Sequence, residues 1–210
     1  MQILDAVGVP FVNGEINVCR IWYNRSDRKG GPRRVDALFS KHNQIQYEWG
    51  AIAAQCIGLG NSSYRVNAMY VEYENVSNPD DVITIPTFDR SEGRDYYQNL
   101  VFTSNRDFLR VPLLFQPTIG ITPGFEPDFT LPNGNQLTFY TQTQGTAGFN
   151  GKPFNSGVNS KICGVALVAT PNFSDPTMDL VFSRSYFDVE DQTPKLASSQ
   201  VGVTWSISFE

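Results

Sequence analysis

The last ten residues, Val201 to Glu210, alternate in polarity without a break. Val201, Val203, Trp205, Ile207 and Phe209 fall on one side, and Gly202, Thr204, Ser206, Ser208 and Glu210 on the other. Successive side chains of a strand point to opposite faces, so this period of two describes a half-buried strand. A helix has a period of 3.6 and would scatter the same residues around its circumference. A sheet face this apolar needs a second layer over it, which commits the chain to a layered β architecture.

Other segments agree. Residues 15–23 (EINVCRIWY) read as a first strand, and 65–75 end in alternation, with Met69, Val71 and Tyr73 against Tyr70, Glu72 and Glu74. Short strands are predicted at 82–85, 108–115, 136–143 and 179–187. Pro112 marks the second of these four as an edge or a bulge, because proline cannot donate to a ladder. Residues 161–170 (KICGVALVAT) are apolar on both faces, the signature of a central strand. The exception is 47–59, where Trp49, Ile52, Ala53, Cys56 and Ile57 form one helical stripe closed by Gly58 and Gly60. The prediction is an all-β fold: a single antiparallel β-sandwich, jelly-roll-like, with one short helix.

Only 18% of the 210 residues are charged, and 57 are Asn, Ser, Thr or Gln, so the surface relies on neutral hydrogen-bonding groups. The net charge of −5 lacks the basic footprint of a nucleic-acid-binding body. No run of about 20 apolar residues is present to span a membrane as a helix. The opening MQILDAVGVPFVNGE has no basic n-region, and Cys19, Cys56 and Cys163 are odd in number and dispersed. Both features lead us to expect a chain made and kept in a reducing cytoplasm, its thiols buried.

Charge is unevenly placed. From Arg20 to Lys41 seven bases face two acids, a local +5 on a body of −10. We therefore divide the chain into an N-terminal extension with a basic loop (1–45) and a sandwich body (46–210). In the extension, Arg28, Arg33 and Arg34 are the candidates for carboxylate contacts, since guanidinium binds them bidentately. Ile21, Trp22 and Phe39 are the apolar anchors expected beside them.

Catalytic inventory is thin. The single histidine, His42, lies in SKHNQ with no nucleophile motif around it, and no Gly-rich phosphate loop occurs. Asp80-Asp81 and Asp188, Glu190 and Asp191 are acidic clusters without EF-hand spacing. No catalytic residue, metal site or cofactor is assigned. One stretch, 142–161 (QTQGTAGFNGKPFNSGVNSK), stands apart: four glycines surround Phe149 and Phe154 in a polar loop. These two rings either cap the core or present anchors to a partner.

The runs NAMYVEYENV, TFDRSEGRDYYQNL, RDFLRVPL, LTFYTQTQGTAGFNGKPFNSGVNSKICGVALVAT and DLVFSRSYF resemble structural proteins of tailed bacteriophages over roughly residues 45–210. Within that class, size and strand content resemble capsid cement or decoration proteins. The resemblance implies a virion protein made in the host cytoplasm, a homo-oligomer (commonly a trimer), with the major capsid protein as partner. It does not fix a place in the particle, so a tail, baseplate or fibre component stays open, as does a carbohydrate-binding jelly roll.

Overall fold

The computed structural model describes residues 12–22, 34–42, 44–45, 63–78, 80–84, 97, 105–113, 136–143, 147–154, 160–196 and 199–209. Among these the strands are β1 (Val12–Trp22), β2 (Arg34–His42), β3 (Gln44–Ile45), β4 (Arg65–Asn75), β5 (Arg106–Pro112), β6 (Gln136–Gln142), β7 (Ser160–Thr170), β8 (Leu180–Tyr186), β9 (Thr193–Pro194) and β10 (Ser199–Phe209). They build two antiparallel sheets. The smaller has the order β2-β1-β10-β6; the larger runs β3-β8-β7-β4-β5, with β9 beside the start of β7. This is the β-sandwich that the alternating segments predict. Three hairpins (β1–β2, β4–β5 and β7–β8) stay within a sheet and set the path between the layers.

The core lies where the alternation places it. Val203, Trp205 and Ile207 of β10 are completely buried. They pack with Ile16, Val18 and Phe139 of the same sheet against Met69, Val71, Tyr73, Val165 and Leu167 of the other. All eleven residues of β7 are buried. The strand lies between β8 and β4, and its two faces serve different clusters: Val165 and Leu167 face the main core, Ala166 and Val168 a second one. That second cluster, with Tyr70, Tyr97 and Phe108, covers the outer face of the larger sheet. A strand buried on both faces must be apolar on both, which is how β7 reads.

Two expectations need correction. The described part of residues 1–45 is not an extension. β1 pairs with β10 along its whole length, from Val12↔Phe209 to Trp22↔Ser199, and buries Ile16 and Val18 in the main core. Apolar alternation in β1 outweighs the charge of the segment around it. Of the short strand expected at 82–85, the described residues 82–84 pair with no strand. The side-chain amide of Gln192 takes that place, accepting from the Ile83 N–H (3.0 Å) and donating to the Ile83 carbonyl (2.8 Å). The helix expected over 47–59 lies outside the described residues.

Candidate functional site

The glycine segment supplies the most unusual surface. Residues 147–154 double back on themselves: Ala147 bridges Pro153, Gly148 N–H donates to the Lys152 carbonyl (2.7 Å), and Gly151 N–H donates to the Gly148 carbonyl (3.0 Å). Gly151 has φ 75°, a conformation that side-chain-bearing residues rarely adopt. The loop then docks on the outer edge of β5. Phe149 N–H donates to the Phe108 carbonyl (2.6 Å), and the Tyr73 hydroxyl donates to the Lys152 carbonyl (2.6 Å). Asn150 gives its backbone N–H (3.2 Å) and its side-chain amide (3.3 Å) to the buried Asp107 carboxylate. Gly148 is needed for close approach, because a Cβ there would collide with the Tyr73 hydroxyl and the Asp107 carboxylate.

This docking separates the two rings. Phe154 is fully buried against Tyr73, with centroids 4.8 Å apart. Phe149 stays 45% exposed and lies flat on Phe108, with centroids 4.8 Å apart and planes 15° from parallel. The loop thus holds one aromatic ring outward on a fixed platform.

Beside this platform the outer face of the larger sheet buries charge. Arg110 of β5 grips Asp179 through two nitrogens (2.6 and 2.8 Å), donates to the Phe173 carbonyl, and lies 4.3 Å over the Phe173 ring. The Tyr70 hydroxyl donates to the same Asp179 (2.5 Å), and burial next to that carboxylate drives the phenol's pKa far up. Arg106 pairs with Glu74 (3.1 Å) and donates to the Thr84 carbonyl (2.7 Å). Glu72 is wholly buried; burial raises its carboxyl pKa, and the Tyr97 hydroxyl, Arg184 and Arg106 oppose that rise. Arg110 with Asp179 and Arg106 with Glu74 offset each other's charge, as buried ions must, whereas both oxygens of the Glu72 carboxylate are buried without a hydrogen bond among the described residues.

A shallow cleft of about 400 Å³ lies near the end of β8, lined by Ile83, Tyr186 and Phe187 and by the exposed Val82 and Val189. Lys41 and Asp188, joined at 2.7 Å, also line it. The acidic cluster at 188–191 therefore spends its first carboxylate on a lysine. Among the described residues no three His, Cys, Asp or Glu side chains converge as metal ligands would.

The anchors read from the sequence are not gathered in one place. Ile21 is 3% exposed beside Gly202, and Phe154 is buried, so neither can serve as a partner anchor in this fold. Phe39 is partly buried, its ring edge-on to Phe187 at 4.5 Å. Trp22 and Arg34 are placed by backbone only, opposite each other at the ends of β1 and β2. Arg28 and Arg33 lie outside the described residues. Phe149 alone among the eight is both described and exposed. Sequence reasoning missed Asp107, Tyr73 and Asp179, which fix the loop and the outer face. The spacing of the glycines around Phe149 was the available signal for the first two. Fold and site together define an antiparallel β-sandwich bearing a pre-set aromatic loop. No protein-family model, curated protein or solved structure matches the chain.

Proposed function

We propose that this chain is a virion structural protein, a head cement or decoration protein of a tailed bacteriophage. It works by contact with the major capsid protein and with further copies of itself. The observation that carries this reading is Phe149, a half-exposed ring held by hydrogen bonds to Phe108, Asp107 and Tyr73. An anchor already fixed loses little entropy on binding, and aromatic anchors dominate interface energetics. The charges beside it on the outer face, Arg110 with Asp179 and Arg106 with Glu74, are paired with one another. The phage-like segments quoted above supply the virion part of the reading.

The test uses purified particles. A stain-quantified gel should give hundreds of copies per particle; tens or fewer would place the protein in the tail and overturn the head reading. Rebinding of the purified chain to stripped heads should weaken about tenfold or more with Phe149→Ala, the range of an interface hot spot. Unchanged rebinding by a folded Phe149→Ala variant would remove the loop as the docking site.

A further inference from the structure

We infer that Asn150-Gly151 is a self-modification site, where the Asn150 side chain loses ammonia, becomes a carboxylate and thereby frees the 147–154 loop from β5. The inference goes beyond the virion reading and does not depend on it. An asparagine followed by glycine is the pair most open to this reaction, because no Cβ on the second residue hinders its backbone nitrogen. The sequence holds three such pairs: Asn13-Gly14, Asn133-Gly134 and Asn150-Gly151. Asn13-Gly14 lies inside the β1–β10 ladder, which holds it extended and opposes ring closure. Asn133-Gly134 lies outside the described residues. Asn150-Gly151 sits in the turn of the glycine loop with both residues exposed to solvent. Gly151 also has open space on its side-chain side, with no heavy atom within 4 Å of where a Cβ would stand.

The step balances with solvent water as its only co-reactant. The Gly151 nitrogen bonds to Asn150 Cγ and gives up its proton, the Cγ–Nδ2 bond breaks, and ammonia leaves with that proton. Water then opens the resulting succinimide. Cleavage of the new N–Cγ bond gives aspartate at position 150. Cleavage between the same nitrogen and the Asn150 backbone carbonyl carbon gives isoaspartate, whose main chain runs through the former side chain. Docking delays the step, since Gly151 N–H is held by the Gly148 carbonyl (3.0 Å) and Asn150 Nδ2 by Asp107 (3.3 Å). Either product ends the docking. Asp107 is wholly buried and takes the Asn150 amide as a donor. An ionised carboxylate has no donor to give, and it sets a second negative charge against the first. Isoaspartate also adds a main-chain carbon inside the loop that the Ala147–Pro153 bridge closes. Loss of ammonia makes the change one-way.

Ageing of the full folded chain at mildly alkaline pH, followed by peptide mapping and isoaspartate labelling, tests the inference. Conversion should appear at position 150, and more slowly than in the same chain held unfolded in urea. The Phe149 amide, bonded to the Phe108 carbonyl while the loop is docked, reads the consequence. Its hydrogen exchange in the converted chains should rise about tenfold, the loss of protection that one hydrogen bond's net stabilisation represents. The β7 amides should stay protected. A fresh Asn150→Asp variant should show the raised Phe149 exchange from the start. Asn150→Gln, whose longer side chain closes the corresponding ring far more slowly, should show no rise on ageing. A folded wild type that keeps the Asn150 amide throughout ageing that converts the unfolded chain overturns the inference. So does conversion that leaves Phe149 exchange unchanged, or a folded Asn150→Asp variant with wild-type exchange. If Asn150→Asp does not fold, the converted wild type decides in the same sense.

Discussion

The Trp205 indole is fully enclosed, and among the described residues no acceptor reaches its Nε1. Trp205→Ala should therefore cost about 3–5 kcal/mol in urea denaturation, the range for an aromatic lost from a core. Trp205→Phe keeps most of the packing and deletes a buried unpaired donor, so its cost should be far smaller. Asp179→Ala strands the Arg110 guanidinium, whose side chain is 9% exposed, and should cost about 3 kcal/mol or more by the same measurement. Glu72 sets a pH dependence. Its folded pKa is raised above the ordinary 4.5, so the native state holds a proton that the unfolded chain gives up first. Its contribution is then fully present below that value and is lost as pH rises through the folded pKa. Melting temperatures of wild type and Glu72→Gln should diverge upward from about pH 4.5 in favour of the variant; parallel curves would remove Glu72 as the source. Trp205 was legible because its neighbours at two-residue spacing define its face. Asp179 was not, because Arg110 lies 69 positions away and no local pattern joins them.

At the scale of elements, β4, β7 and β10 matched their sequence patterns within a residue or two. β2 did not emerge from the sequence. Its Val35, Ala37 and Phe39 alternate, but the basic residues around them made the segment read as part of a docking extension with a basic loop. The 147–154 loop was visible as an anomaly and not as a geometry, since the Asp107 and Tyr73 that hold it belong to other strands. Gly148→Ala tests that geometry. The new methyl must displace the loop from β5 and break the Asn150–Asp107 bonds, leaving a buried carboxylate short of donors at a cost of about 1–3 kcal/mol. Exchange of the Phe149 amide should accelerate in that variant more than exchange of the β7 amides.

At the scale of the whole molecule, the layered architecture followed from the apolar alternation, whereas the boundary at residue 45 followed from charge and failed. Charge distribution reports on solubility and encounter more than on fold. Deleting residues 1–45 takes both β1 and β2 from a four-stranded sheet and bares the inner edge of β10. The truncated chain should lose its cooperative urea transition. A truncated chain that keeps a native-like transition would mean that the larger sheet and its outer cluster stand alone.

The pairing of β1 with β10 also has a consequence during synthesis. Translation proceeds at about 5–20 residues per second, and on the order of 180 residues separate the two partners, so β1 leaves the ribosome roughly 10–40 s before β10 exists. Through that interval the β1–β2 hairpin carries Ile16 and Val18 with neither their neighbouring strand nor a finished opposing layer. The nascent chain is then a half-built sheet with a vacant central slot, open to strands from neighbouring polysomes. Until the last strand arrives to fill that slot, the nascent chain carries the unpaired edge that makes such intermediates prone to association.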